Sequence, residues 1–126
     1  MSNSQWTPAR KKAFITTLLR SGFSRWPPKY ITLKAAFLDK HINTKTGRLA
    51  SFYRCAICQD CFVAKDVHVD HIVPVVGACG FTSWDDFIER LFCESDNLRV
   101  LCKPCHKNVT LSENAERRQY KLEFMK

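Results

Sequence analysis

The sequence predicts a small α+β domain, because short alternating strands and amphipathic helices occupy separate stretches of the chain. Residues 67–71, Val-His-Val-Asp-His, alternate apolar and polar side chains as a half-buried strand does. Residues 98–101, Leu-Arg-Val-Leu, have the composition of a second short strand. Residues 84–92 carry apolar side chains at helical spacing, and Ser83 with Asp86 forms a capping box in front of them. The strands and one packing helix are therefore expected in the second half of the chain.

The first half of the chain is predicted to be mainly helical. A first helix is expected over residues 7–21, with Thr7 as its cap, Pro8 in its first turn and Gly22 as its stop. A second helix is expected after Pro27-Pro28. The predicted apolar faces are Phe14, Ile15, Leu18 and Leu19 on the first helix, and Tyr30, Leu33, Phe37 and Leu38 on the second.

A polar connector at residues 43–50, with a turn signal at Thr46-Gly47, marks the expected boundary between two parts of the chain. A second capping box, Thr110 with Glu113, predicts the start of a C-terminal helix. The two predicted parts are a basic helical extension at residues 1–50 and a domain at residues 51–126, with its core at residues 55–108.

The net charge of +8 is concentrated in the front half of the 126-residue chain. Residues 1–54 hold eleven Lys and Arg against one acid, Asp39, whereas residues 55–126 hold nine against eleven acids. A solvated basic surface is the simplest interpretation, but so uneven a distribution favours a polyanion such as nucleic acid. The sequence has neither a secretion signal nor an apolar run of membrane-spanning length, so we expect an intracellular, cytoplasmic protein.

Seven cysteines in such a chain indicate metal binding or free thiols rather than disulfides. Two Cys-x-x-Cys pairs can supply the four thiolates of one closed, tetrahedral structural Zn²⁺ site. The pairs are Cys55 with Cys58 and Cys102 with Cys105. Cys61 is an alternative ligand in place of Cys58, and ordinary buried thiols are the alternative to a metal site.

A zinc ion shared by both pairs would close a loop and bring the two predicted strands together. Asp70 and His71 end the first strand, Asn97 precedes the second, and His106 follows the last cysteine. The Asp70 carboxylate, which is a metal-type ligand, and the His71 imidazole, which can act as a base, would then lie close to the Asn97 amide and the His106 imidazole. The sequence therefore predicts a site at residues that are far apart in the chain.

The chain presents, in order, Cys-x-x-Cys, Val-Asp-His71-Ile-Val-Pro, Asn97-Leu and Cys-x-x-Cys-His106-Lys. This order resembles the His-Asn-His (HNH) endonuclease family, which has small stand-alone members in phages and bacteria. The resemblance covers residues 55–108 and leaves the basic front half outside. It implies a ββα-metal, treble-clef-like core, in which a two-stranded hairpin and a helix surround a metal, with a structural zinc beside it.

The resemblance also implies a metal-dependent DNA endonuclease or nickase that leaves 5′-phosphate and 3′-hydroxyl ends. By position, His71 is the general base that activates water. Asp70 and His106 bind one divalent cation at the scissile phosphate. Asn97 orients His71 and its loop. Mg²⁺ or Mn²⁺ is the expected cation, and the histidine ligand also suits Co²⁺, Ni²⁺ or Zn²⁺.

Two positions differ from the best-equipped members of the family. Thr110 stands where a third protein ligand can follow His106 by one helical turn, which implies modest metal affinity. His68 lies on the same strand face as Asp70, where some relatives have an acid. It is either an additional site residue or an exposed strand histidine.

The expected partner is double-stranded DNA, held mainly through its phosphates. The bases that we expect to contact phosphates are Arg99, Lys103 and Lys107 beside the site, and Arg10, Lys11 and Lys12 on the first helix. We expect neither a membrane partner nor a small-molecule cofactor, and either a monomer or a homodimer. If a phage encodes the chain, it would act in the host-cell cytoplasm.

Two other classes of function compete with the nuclease. A zinc-knuckle protein that binds nucleic acid without catalysis explains the charge and the cysteines, but it leaves Asp70, His71, Asn97 and His106 unexplained. A thiol redox protein is disfavoured, because the two Cys-x-x-Cys pairs are far apart and no thioredoxin-like βαβ pattern surrounds either pair.

Overall fold

The structure is a computed structural model that describes residues 5–124. It is a mixed α+β fold, as the sequence predicts. The helices are α1 (Pro8–Gly22), α2 (Pro27–Ala36), α3 (Trp84–Leu91) and α4 (Lys103–Phe124). The strands are β1 (Phe37–Asn43), β2 (Arg48–Arg54), β3 (Cys61–Val63), β4 (Val67–His71) and β5 (Leu98–Cys102).

The strands form two small antiparallel sheets. One has the order β1-β2-β3, and the other is the β4-β5 pair. In the second sheet, Val67 lies opposite Cys102 and His71 lies opposite Leu98, so the two predicted strands are confirmed and paired along their whole length. This register places the end of β4 beside the start of β5.

Helix α1 has the predicted ends, but its predicted apolar face is largely exposed. Thr7 Oγ1 accepts a hydrogen bond from the Arg10 amide at 3.3 Å, which confirms the cap. Phe14 is 69% exposed and Leu18 is 59% exposed. Leu19 alone of the four predicted residues packs on a buried cluster. The prediction of a fully packed stripe was wrong, because α1 touches the domain along one narrow edge.

The second predicted helix is shorter than expected and continues as a strand. Helix α2 ends at Ala36, and Phe37 has extended backbone angles (φ −64°, ψ 132°). Gly47, with φ +71°, turns the chain so that β2 pairs with residues 37–43. Phe37 pairs with Tyr53 and Asp39 with Phe52, and the register shifts between them at Leu38. Strand pairing therefore overrides the helical pattern. The domain boundary at residue 50 stays a prediction, and β2 crosses that position.

The predicted start of the C-terminal helix was wrong. Helix α4 begins at Lys103, directly after β5, and runs without a break to Phe124. Thr110 does not cap a new helix. Its hydroxyl instead donates to the His106 carbonyl one turn earlier, at 3.0 Å. Cys105, His106 and the C-terminal segment therefore share one helix, and Cys102 precedes it as the last residue of β5.

The core consists of two buried clusters. The first contains Cys55, Leu101 and Cys102, with Phe62, Cys105 and Val109 against it. The second contains Val75, Phe87 and Leu91, with Leu19, Phe23, Val76, Phe81, Trp84 and Phe92 against it. Ser83 Oγ accepts from the Asp86 amide at 3.1 Å, which confirms the predicted cap of α3. None of the helices within residues 5–124 has the length and apolar character needed to span a membrane.

Candidate metal centre and active site

The four predicted cysteine ligands come together at the edge of the first core cluster, to which three of them belong. The Sγ atoms of Cys55, Cys58, Cys102 and Cys105 all lie within 4.8 Å of one another. Those of Cys58 and Cys102 are 3.9 Å apart. A tetrahedral zinc site with Zn–S bonds of about 2.3 Å places its sulfurs about 3.8 Å apart. The group is therefore compatible with a structural metal ion, and zinc suits its all-thiolate donor set.

Local backbone structure brings the first cysteine pair into position. The Cys55 amide donates to the Asp60 carbonyl at 2.9 Å, and the Gln59 amide donates to the Cys55 carbonyl at 3.1 Å. Gln59 has φ +66°, which lets the chain reverse tightly after Cys58. The Ala56 amide donates to the Val100 carbonyl at 2.8 Å and fixes this turn against β5. Cys61 begins β3 and lies outside the four-cysteine group.

The thiol pKa values show how closely these groups interact. Burial raises the pKa of Cys55, but the backbone amides of Cys102, Cys58 and Ile57 outweigh it and lower that pKa to about 6. The neighbouring Cys102 sulfur, followed by burial, raises the pKa of Cys105 to about 12. Four thiolates at this spacing need a cation between them to stay ionised together.

Asp70 and His71 are the last two residues of β4. Asp70 lies directly opposite Arg99 in the register. Its Oδ1 is 3.9 Å from His106 Nε2, and its Oδ2 is 3.6 Å from an Arg99 nitrogen. Oδ2 is buried and accepts no hydrogen bond from the described residues. A buried carboxylate oxygen without a hydrogen bond is costly, and the Arg99 guanidinium at 3.6 Å offsets only part of that cost.

His71 is held in one orientation from two sides. Its Nε2 lies 2.9 Å from the Leu91 carbonyl, and its ring packs on Phe23 with centroids 4.8 Å apart. A carbonyl oxygen can only accept, so Nε2 carries the proton. The other ring nitrogen, Nδ1, is then the acceptor, which is the state that a general base requires.

Asn97 fixes the segment that follows His71. The Asn97 carbonyl accepts from the Ile72 amide at 2.8 Å. Its side-chain Oδ1 accepts from the Val73 amide at 2.9 Å, and Nδ2 donates to the Val73 carbonyl at 3.4 Å. These hydrogen bonds fix the backbone that follows His71 and do not involve its imidazole ring.

Asp70, His71 and His106 line one cleft of about 180 Å³. The other residues in its wall include Arg20, Thr110, Glu113 and Arg117. Burial, followed by the negative charge of Asp70, raises the pKa of Glu113. The sequence interpretation did not identify Arg20, Glu113 or Arg117. Thr110, Glu113 and Arg117 follow His106 at steps of four, three and four residues, which places all of them on one face of a continuous helix. The prediction that a new helix starts at Thr110 hid this pattern.

His68 lies next to His106 but does not line the Asp70–His71 cleft. The His68 and His106 rings are 4.8 Å apart, and both border a second cleft of about 300 Å³ with Phe23 and Lys29. Burial, followed by the charges of His106 and Lys103, lowers the pKa of His68. Its neutral form is therefore favoured.

The basic residues predicted to contact phosphates occupy different environments. Arg99 faces Asp70, and Lys103 Nζ is 3.8 Å from an Asp66 oxygen. Lys12 lies over the Phe81 ring, 3.9 Å from its centroid. Arg10 Nη1 donates to the Gln5 carbonyl at 2.8 Å. Lys11 and Lys107 are exposed, so a phosphate can approach them without displacing a protein partner.

Comparison of the chain with models of protein families, with curated proteins and with solved structures finds no match. The function is therefore inferred from the residues of the two candidate metal sites.

Proposed function

We propose that this protein is an HNH-type, metal-dependent DNA endonuclease or nickase. In this proposal β4, β5 and the first turns of α4 are the ββα-metal core, and the four-cysteine group holds a structural Zn²⁺. One observation supports it most strongly: Asp70, His71 and His106 line one cleft. A carboxylate, a base and a second imidazole are the groups that metal-assisted phosphodiester hydrolysis needs.

Asp70 and His106 would hold one divalent cation. Neighbouring ligand atoms about 2.1 Å from an octahedral ion are about 3 Å apart. Asp70 Oδ1 and His106 Nε2 are 3.9 Å apart, so the two side chains would draw closer by about 1 Å on binding the ion. A bound Mg²⁺ or Mn²⁺ supplies Lewis-acid polarisation of the scissile phosphate and neutralises charge on the leaving oxygen.

His71 would activate the attacking water. Its Nε2 donates to the Leu91 carbonyl, so Nδ1 accepts a proton from water. The resulting hydroxide attacks phosphorus, and the bond to the 3′ oxygen breaks. A solvent water then protonates the leaving oxygen, so that the products are a 5′-phosphate and a 3′-hydroxyl. Asn97 holds the backbone beyond His71, so that the ring keeps its orientation during the reaction.

Duplex DNA is the proposed substrate, and the cytoplasm is the proposed location. The front half of the chain carries a net charge of +10, whereas residues 55–126 carry −2. Sequence-independent attraction to phosphates follows from such a distribution and weakens steeply with salt. Arg20 and Arg117 add positive charge to the wall of the cleft itself.

Nicking of supercoiled plasmid DNA with Mg²⁺ or Mn²⁺ tests the proposal. Wild type should convert the plasmid to open circles or linear molecules, and His71→Ala should lower the rate by about a thousandfold or more. Asn108→Ala, which removes an exposed polar side chain of α4, is the control. Equal rates for wild type and His71→Ala, with unchanged melting, would contradict the assignment of the base.

A zinc-knuckle protein that binds DNA without cutting it is the second candidate function. Arg99 lies 3.6 Å from Asp70 and already balances part of its charge. Among residues 5–124, no third His, Cys, Asp or Glu joins Asp70 and His106 in a ligand cluster. Binding of DNA together with a complete lack of cleavage in Mg²⁺, Mn²⁺, Co²⁺ and Ni²⁺ would favour this function.

A further inference from the structure

The hairpin of β1 and β2 extends beyond the end of β3, the third strand of its sheet. Strand β3 pairs with only the last three residues of β2, Phe52 to Arg54. Residues 40–51, which we call the ribbon, therefore have two strands only. Four residue pairs, from Lys40 with Ser51 to Asn43 with Arg48, give the ribbon a length of about 10 Å before its turn.

The turn of the ribbon is held rigid by its own hydrogen bonds. The amides of Thr46 and Gly47 donate to the Asn43 carbonyl at 3.1 Å and 2.7 Å. Asn43 Oδ1 accepts from the Lys45 amide at 3.1 Å, and Thr46 Oγ1 accepts from the Arg48 amide at 3.3 Å. Lys45 and Arg48 are thus presented from a fixed backbone, and both are exposed.

The ribbon is basic and carries an exposed apolar pair. Its residues include Lys40, Lys45 and Arg48 and no acid. Ile42 and Leu49 lie directly opposite each other, so their side chains share one face. They are 54% and 64% exposed. Strand β1 is an edge strand, and lysines on an edge disfavour pairing with another protein strand. Positive charge around a small apolar pair suits a nucleic acid better.

We propose that the ribbon lies in the major groove of duplex DNA, with Lys45 and Arg48 on the flanking phosphates and the Ile42–Leu49 pair toward the base edges. The proposal rests on the proposed function for its partner, duplex DNA. The major groove is about 12 Å wide and admits a two-stranded ribbon. Apolar side chains there contact thymine methyl groups.

The position of the ribbon connects it to the candidate active site. One side of the ribbon borders a groove of about 370 Å³, whose other wall includes Lys65 and Asp66. Those two residues come immediately before β4, which ends at Asp70 and His71. A duplex that is held by the ribbon therefore lies beside the strand that carries the proposed catalytic residues.

The test compares wild type with a Lys45→Ala/Arg48→Ala double variant in binding to a 16-bp duplex that contains A·T pairs, followed by fluorescence anisotropy. No divalent cation is added, so the DNA stays whole. The control is Arg118→Ala/Lys121→Ala, which removes the same charge from exposed positions on α4. All three proteins should melt alike, because the substituted side chains are exposed.

The ribbon variant should bind about tenfold more weakly at low salt, and its log–log salt slope should fall by about 2, since two phosphate contacts are lost. Methyl green, which occupies the major groove, should weaken binding by wild type, and netropsin, which occupies the minor groove, should not. If the ribbon variant loses affinity but wild type does not cleave DNA, the proposed role of the ribbon is supported and the proposed nuclease activity is rejected. If the ribbon variant has the affinity and salt slope of wild type, or if netropsin alone competes, the proposed role of the ribbon is wrong. Neither result bears on the proposed cleavage activity.

Discussion

The four-cysteine group and the Asp70–His106 pair are two candidate metal sites with opposite designs. The cysteine group offers four donors within 4.8 Å of one another, and two of the four cysteines are buried. The Asp70–His106 pair offers two donors 3.9 Å apart at the wall of an open cleft. A closed, fully coordinated ion stabilises a fold, whereas an open one leaves positions for substrate and water. One site should therefore control folding and the other should control reactivity.

Removal of zinc should have the largest effect on stability. Zinc binding to structural sites contributes about 10 kcal/mol or more, which exceeds the stability of most small domains. A chelator, or Cys102→Ser, should unfold residues 55–108, as measured by loss of a cooperative thermal transition. Cys79→Ser is the control, because Cys79 is exposed and lies outside the group. A cooperative transition that persists in zinc-free protein would contradict the structural role.

Asn97→Ala should reduce cleavage by about 10- to 100-fold with little loss of zinc, since groups that orient a metal site or its base have effects of this size. The variant loses both side-chain hydrogen bonds to Val73. Single-turnover rates and zinc content, measured on the same samples, separate the two sites. Asn108→Ala, at an exposed position of α4, is the control. A loss of zinc that parallels the loss of rate would show that the two sites are not independent.

Glu113→Gln should stabilise the protein modestly near pH 7, and the gain should disappear in acid. Burial and the charge of Asp70 raise the pKa of Glu113, so the charged form destabilises the folded state at pH values above that pKa. As the pH falls through the raised pKa toward the ordinary value, Glu113 becomes neutral and the penalty is lost. Melting temperatures of both proteins from pH 3.5 to 8 give the comparison. A gain that is constant with pH would show that the cleft does not act on Glu113 through charge.

His68→Ala should have the smallest effect, less than about threefold on the cleavage rate. His68 packs on His106 but does not line the cleft of Asp70 and His71. Steady-state nicking rates with Mn²⁺ measure the effect. A reduction similar to that of His71→Ala would make His68 an additional site residue.

The sequence predicts the residues near the cysteine pairs better than it predicts the front half. Tetrahedral metal coordination and strand alternation are local rules, so they locate Cys55, Cys102, β4 and β5 correctly. Residues 37–43 form a strand because a partner strand follows the turn at Gly47. The pattern of apolar residues within the segment does not indicate that partner. The same limit hid Glu113 and Arg117, because their place in the cleft depends on a helix that starts at Lys103 rather than at Thr110. Charge distribution indicates a polyanion partner but does not identify the ribbon.

The dependence of plasmid cleavage on Mn²⁺ concentration, in wild type and in Asp70→Asn, tests the central proposal most directly. Asp85→Asn, in the first turn of α3, is the control because it removes an exposed carboxylate far from β4 in the chain. Wild type and the control should show a rate that saturates with one class of cation site. Asp70→Asn should need at least about a hundredfold more Mn²⁺ or fail to cut. Cleavage by Asp70→Asn with the same Mn²⁺ dependence as wild type, or no cleavage by wild type at any Mn²⁺ concentration, would contradict the assignment of a catalytic cation to Asp70 and His106.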